Sequence, residues 1–459
     1  MPVETLSTRK LQDKPAKGRS IKPEAGLYHY SIKDIDEQAR IHLRIDPDES
    51  GLLMVNASKV VQLNPTATLM AYFFLEKIPP RKITRYFTRN FKAPRKQVLG
   101  DLLTTILQIK EIIRKDGGCP VCDLQLEIKS PFSARPSAPY RMDLALTYRC
   151  NNACSHCYNA RSRQFPEMDT ASWKKVIDKL WDLRIPHLVF TGGEPTLRDD
   201  LPELVAYAEQ KGQITGINTN GRRLADRSFL NDLVAAGLDH AQITVESHLP
   251  QIHDKMVCAD GAFTETIAGL RNVVDTRLYM MTNTTLLREN SPYLRDTMNF
   301  LADQGVKTIG LNALIYSGRG KSVSSGLPET DLPALLDIAR DVCAQRDLRL
   351  IWYTPTQYCH FNPLQMQLGV KGCTAALYNM CVEPEGSVLP CQSYYETLGN
   401  ILKDPWEAIW EHPLALSLRE RRDIPEGCRS CELLAECGGG CPLAREHQQI
   451  QPVLNELFI

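Results

Sequence analysis

"CNNACSHCYN", residues 150–159, sets three cysteines, Cys150, Cys154 and Cys157, within eight positions and follows them with Tyr158. Closed tetrahedral zinc sites and cubane iron–sulfur clusters both take four protein ligands, so the loop is one short. A cubane held by three thiolates leaves one iron free to bind a small molecule, by the same logic that separates catalytic from structural zinc. Zinc is the alternative, although no fourth Cys or His stands close by outside the loop. His156 lies between two of the cysteines and reads as a packing residue.

Outward from this loop the sequence alternates strand and helix patterns. "MDLALTY" (142–148) is a short apolar strand, and Trp173, Val176, Ile177 and Leu180 recur at helical spacing. "HLVFTGG" follows, then a helix start marked by Asp199, Asp200 and Pro202. "GQITGINTNG", "HAQITVES", "RLYMMTNTTL", "KTIGLNALIY" and "LRLIWYT" repeat the strand pattern. This alternation predicts a parallel sheet flanked by helices. Ligands of such sheets sit beyond the C-terminal strand ends, where the unusual stretches cluster: the cysteine loop, "TGGEP" (191–195), "NTNG" (218–221) and "TVES" (244–247). Taken singly, the Gly-Gly and Asn-Gly pairs are also ordinary turn signals.

The 459-residue chain is long enough for two to four domains. Its 54 basic residues balance 54 acidic ones, so nothing advertises a nucleic acid or an anionic membrane as partner. The first twenty residues lack the apolar segment of a secretory signal, and no run of about 18 apolar residues occurs. A cytoplasmic protein is expected, in which 15 cysteines read as metal ligands rather than a disulfide framework.

In combination, "CNNACSHCY" resembles the signature of the radical S-adenosylmethionine superfamily, and "TGGEP" resembles its second motif. The resemblance implies an α/β fold, a partial (β/α)6 barrel over residues 142–354. It implies a [4Fe-4S] cluster on Cys150, Cys154 and Cys157 whose remaining iron is chelated by S-adenosyl-L-methionine, and reductive cleavage to a 5′-deoxyadenosyl radical. Gly192 and Gly193 would let backbone approach that ligand, and Glu194, beside Pro195, would accept from its amino group. Asn218, Asn220 and Glu246 are candidate contacts to its ribose or methionyl part, although "TVES" stands where many relatives carry an "SLDG"-like stretch. Arg319 is a candidate partner for its carboxylate.

Eight cysteines follow the barrel: Cys359, Cys373, Cys381, Cys391, Cys428, Cys431, Cys437 and Cys441. Eight thiolates would complete two cubanes. The spacing C-x2-C-x5-C-x3-C from Cys428, after a C-x12-G-x4-C stretch from Cys373, resembles the SPASM domain, expected over residues 355–459. "EPEGSVLPC" reads as a hairpin turning at Gly386. The family pattern ends on a further cysteine that is missing here, so Cys359 or Cys381 would make up the number, or Glu446 or His447 would serve instead. Cys258 and Cys343 read as buried small hydrophobes. Cys119 and Cys122 form a CxxC knuckle without an evident partner pair.

Before the barrel, residues 1–125 show two short strands, a helix starting near Thr66 with Asn64 as cap, and two more amphipathic helices. A Pro/Ser-rich linker, 126–141, follows. Asp46, Pro47, Gly51, Val60, Leu63, Asn64, Thr66 and Ala67 resemble the frame of the winged-helix-like, PqqD-type recognition element of peptide-modifying enzymes. That family binds a leader peptide as an added strand. Together the resemblances imply a radical enzyme acting on a ribosomally made precursor peptide, with an external reductant such as ferredoxin or flavodoxin. Thioether formation is the first expectation, with carbon–carbon crosslinking, oxidation or excision as other outcomes. The alternatives are a small-molecule substrate, such as a tetrapyrrole or quinone precursor, or a non-enzymatic iron–sulfur protein.

Overall fold

The computed structural model describes residues 22–33, 38–55, 59–113 and 136–448. Cys119, Cys122 and most of the expected linker lie outside the described residues. The chain divides into two compact units, Met1–Lys129 with Trp181–Pro186, and Ser130–Leu180 with His187–Ile459.

In the first unit, β1 (Gly26–Lys33), β2 (Gln38–Ile45), β3 (Gly51–Val55) and β4 (Lys59–Leu63) form an antiparallel meander in chain order. Two strands more than the sequence suggested are present. Three helices follow: α1 (Pro65–Leu75), α2 (Pro80–Asn90) and α3 (Arg95–Ile113). Asn64 caps α1 as expected, accepting from Ala67 N–H at 2.9 Å. The sheet buries Ile41, Leu43, Leu53 and Val55 against Ala71, Leu75, Ile109 and Ile112. A second apolar cluster joins Phe73, Ile83, Phe87, Val98 and Leu102 from the three helices.

The second unit is built on a nine-stranded sheet. Seven strands run parallel, with neighbours in chain order: β5 (Arg141–Thr147), β6 (His187–Gly192), β7 (Ile214–Thr219), β8 (His240–Thr244), β9 (Tyr279–Thr285), β10 (Thr308–Asn312) and β11 (Arg349–Trp352). Helices α4 (Thr170–Asp182), α5 (Leu201–Lys211), α6 (Arg227–Ala236), α7 (Pro250–Val257), α8 (Ala262–Val274), α9 (Leu294–Asp303) and α10 (Leu332–Arg346) occupy the crossovers. The periodicity is borne out in α4, where Trp173, Val176, Ile177 and Leu180 are buried. The parallel sheet therefore exceeds six strands, because β11 pairs with β10 from Thr308↔Arg349 to Leu311↔Trp352.

At the opposite edge the C-terminal region joins the same sheet. β12 (Asn379–Val382) lies parallel to β5, and β13 (Val388–Leu389) returns antiparallel in the anticipated hairpin. Gly386 makes that turn at φ 100°. Cys258 departs from expectation: α7 ends at Val257, and Cys258 takes a left-handed cap conformation that leaves it exposed. Cys343 is buried within α10, as expected. Among the described residues no helix is long and apolar enough to cross a membrane.

Candidate functional site

Parallel pairing from β5 to β10 puts the ends of these strands on one rim, and the unusual stretches meet there. The cysteine loop leaves β5 and is pinned on both flanks. Ala153 and Ser155 donate backbone N–H to Val257 and Met256 carbonyls at 2.8 and 3.0 Å, and Arg319 N–H donates to the Cys157 carbonyl at 2.9 Å.

Cations bracket the start of the loop. The Arg163 Nη1 donates to the Cys150 carbonyl at 2.8 Å. Arg222 Nη1 reaches the Asn151 carbonyl at 2.6 Å and Asn152 Oδ1 at 2.8 Å. Charge-assisted bonds of this kind are each worth about 1.5–3 kcal/mol. For Arg222→Leu we therefore expect iron to be lost to a chelator several-fold faster, with an unchanged far-ultraviolet circular dichroism spectrum.

The three thiols face one another electrostatically. Burial pushes Cys150 up to about 11, with Glu194 and Cys157 adding to the effect. Cys154 lies well above the usual thiol range, through burial and then the anionic neighbours Cys157, Glu246 and Cys150. Crowded, buried thiolates need compensating positive charge, which a cluster of iron ions supplies. Among the described residues no three His, Cys, Asp or Glu are spaced to grip a single metal ion.

In "TGGEP" the two glycines lie close against backbone. A Cβ on Gly192, at φ 133°, would stand 2.0 Å from the Thr147 carbonyl oxygen, and one on Gly193 would stand 2.3 Å from that of Arg149. The glycines thus let β6 close onto the strand that carries the cysteine loop. Gly193 N–H donates to Thr147 at 2.7 Å and Glu194 N–H to Arg149 at 2.9 Å.

The Glu194 carboxylate is engaged by the protein itself. It accepts from Thr196 N–H and hydroxyl at 3.1 and 2.6 Å, the Thr219 hydroxyl at 2.7 Å and Asn220 N–H at 2.7 Å. Burial nonetheless raises its pKa. Pro195 opens the short 3-10 turn that Glu194 caps. Asn220 extends the network to the loop, its Nδ2 donating to Asn151 Oδ1 at 2.6 Å. Asn218, on β7, is half-buried.

Glu246 is likewise committed. Its Oε1 stands 3.0 Å from His156 Nε2, and its Oε2 accepts from Thr285 N–H at 2.9 Å. His156 is therefore more than a packing residue, because it ties the cysteine loop to the end of β8. Its Nδ1 is buried without a hydrogen-bond partner in the described structure. Arg319 touches the loop through its backbone only, and its side chain is exposed.

The hairpin of β12 and β13 is clamped to the same loop. Arg161 makes a bidentate pair with buried Glu383 at 2.7 and 2.8 Å, and Tyr148 Oη donates to the same carboxylate at 3.0 Å. Tyr158 Oη donates to Gln392 at 3.2 Å.

The C-terminal cysteines sort into groups. Cys373 is pushed up to about 12 by burial and then Cys441. Burial raises Cys391 further, with Cys373 and Cys441 as its thiol neighbours. Cys359 is raised by burial, with Cys437 and Cys428 as its charged neighbours. Cys381 is 1% exposed, in an apolar cluster with Ala145, Tyr148 and Leu389, and burial, then Asp143, Glu383 and Cys391, raise its pKa.

Comparison with known proteins agrees with this architecture. Residues 144–301 match the radical SAM superfamily, and residues 373–432 match the SPASM iron–sulfur cluster-binding domain. The chain thus carries a radical S-adenosylmethionine domain and a cluster-binding SPASM domain, and it is an enzyme. Among curated proteins it is 28% identical to the PqqA peptide cyclase of Ruegeria pomeroyi, over 66% of this chain and 82% of that protein. It is also 28% identical to the Fe-coproporphyrin III synthase of Methanosarcina barkeri, over 64% of this chain and 81% of that one. Its fold resembles that of Streptococcus suis SuiB bound to S-adenosylmethionine, with a TM-score of 0.66 and 16% identity over 88% of this chain and 95% of that chain.

Proposed function

We propose that this enzyme modifies a ribosomally made precursor peptide. Residues 1–125 would hold the leader, 126–141 would link, the barrel over 142–354 would carry the radical chemistry and 355–459 the auxiliary clusters. Peptide-cyclase and tetrapyrrole-synthase relatives are equally similar, at 28%, so that similarity alone does not choose a substrate. The observation that carries the peptide reading is the N-terminal unit. Both alignments leave about a third of the chain aside, while this unit carries the PqqD-like frame of Asp46, Pro47, Gly51, Leu63 and Asn64.

The unit has features suited to a peptide. Among the described residues the meander ends on β1 and β4, each with one sheet neighbour, and a sheet edge is where a peptide can add as a strand. On α3, Leu99, Leu103 and Leu107 are 41%, 59% and 58% exposed. Their i, i+4, i+8 spacing makes an apolar stripe, the kind of surface that marks a docking site.

In the barrel, Cys150, Cys154 and Cys157 would hold the [4Fe-4S] cluster, with the Gly192–Pro195 turn beside it. When bound, cluster and S-adenosylmethionine supply a 5′-deoxyadenosyl radical that takes a hydrogen atom from substrate, given an electron from a reductant such as ferredoxin or flavodoxin. The chain's own part is to fix the loop, through Arg163, Arg222 and the His156–Glu246 pair. Thioether formation is the favoured outcome, with carbon–carbon bonding, oxidation or excision as the others.

Calorimetric titration of the full chain with peptides encoded beside its gene tests the reading. One of them is expected to bind, and Leu103→Glu to weaken it by tenfold or more, about 1.4 kcal/mol. If none binds, the small-molecule reading that the Fe-coproporphyrin III synthase similarity favours takes its place.

A further inference from the structure

Two matching contacts identify the concave face of the barrel. His187 on β6 and His240 on β8 meet across β7, their Nε2 atoms 2.8 Å apart, over Gly216, where a Cβ would stand 1.9 Å from the His240 ring. Tyr353, just after β11, donates to Met281 Sδ on β9 at 3.0 Å across β10, over Gly310, where a Cβ would stand 2.4 Å from the Tyr353 ring. Strands two apart are separated by about 10 Å in a flat sheet. Their side chains meet where the sheet curls toward them, and each glycine leaves the room.

Strand alternation assigns the rest of that face. On β8, Ala241 and Ile243 are wholly buried, whereas His240, Gln242 and Thr244 keep some exposure. The same period puts Asn283 with Met281 on β9, and Asn312 with Gly310 on β10. Three carboxamides, Gln242, Asn283 and Asn312, thus share the concave face. Gln242 lies level with Met281, and Asn283 with Gly310, so each amide stands one strand across and two residues further up than the last. Strand spacing and rise make that diagonal step about 8 Å, and the curl draws the side-chain ends closer. Alternate residues of an extended chain are about 7 Å apart.

A carboxamide both donates and accepts, as a peptide group does. Asn283 is 8% exposed, and its Oδ1 is buried without a hydrogen-bond partner in the described structure. An acceptor so isolated costs about 1–3 kcal/mol, which a ligand N–H would relieve. The three amides carry no formal charge. Arg141, level with His187 on the same face, is already matched by Asp143 at 2.7 and 3.1 Å. A carboxylate brought here would leave water for neutral groups and a paired guanidinium; a peptide backbone would not. Asn218, the candidate S-adenosylmethionine contact, is the register partner of Gln242, so the diagonal starts beside the place expected for that ligand.

Resting on the peptide reading above, we propose that Gln242, Asn283 and Asn312 form a carboxamide band that binds the backbone of an extended, uncharged core segment of the precursor peptide. The band holds the residue to be modified through main-chain groups rather than through its side chain.

Hydrogen exchange of the precursor peptide found in the titration above tests this, read by mass spectrometry on its complex with the full reconstituted chain and S-adenosylmethionine, without reductant. At least one core amide is expected to exchange about tenfold slower than in the free peptide. Asn283→Leu should bring it back to within about twofold of the free rate, with leader amides still protected and the far-ultraviolet circular dichroism spectrum unchanged. Gln242→Leu, at a half-buried position, should do the same and carries the test if Asn283→Leu does not fold. A protected leader with an unprotected core, or core protection that survives both leucine variants, would overturn the band and leave the peptide reading standing. Leader and core both exchanging as in free peptide would instead defeat the peptide reading, and the band with it.

Discussion

Cys154→Ala is expected to abolish reductive cleavage of S-adenosylmethionine, by a factor of at least about a thousand, while leaving about eight of about twelve irons per chain. Cys154 sits centrally in the loop, flanked electrostatically by Cys150, Cys157 and Glu246. Two remaining thiolates cannot hold a cubane with one exchangeable iron. Its neighbours Ala153 and Ser155 are fixed through backbone bonds to Val257 and Met256, so the loop keeps its path. Iron analysis with chromatography of 5′-deoxyadenosine checks both halves. Loss of all iron would mean that the three sites do not assemble independently.

Gly193→Ala should be nearly as severe for a different reason. Its added methyl would stand 2.3 Å from the Arg149 carbonyl oxygen and 2.6 Å from that of Tyr148. Both obstacles are backbone, which cannot swing aside as a side chain does. The turn must therefore retreat, breaking Gly193 N–H to Thr147 and Glu194 N–H to Arg149. A displacement of about 1 Å at a reacting centre can cost about a hundredfold in rate. We expect a loss of at least that size in 5′-deoxyadenosine formation, with auxiliary-cluster signals unchanged. Wild-type activity in Gly193→Ala would show that the close approach of β6 to the loop is dispensable.

The sheet was legible because its strands are short apolar runs separated by helices of clear period. Trp173, Val176, Ile177 and Leu180 show how well that signal works when one helix face meets a sheet. The cysteine loop stood out by its spacing, three thiols within eight positions. Partnerships did not. His156 and Glu246 are 90 positions apart, Arg161 and Glu383 are 222 apart, and no local pattern links such pairs. Arg222 could have been suspected from its place just after "NTNG", on the same rim as the loop. Gly192 and Gly193 were seen, but whether a ligand or the chain's own carbonyls demanded their bareness depended on the register of β5 with β6.

The most direct measurement of the central claim is the release of 5′-deoxyadenosine by the full chain, reconstituted anaerobically with iron and sulfide and given dithionite and S-adenosylmethionine. Release that requires the reductant and exceeds the Cys154→Ala background by about a thousandfold is the expected result. No release above that background from protein carrying its full iron would contradict it.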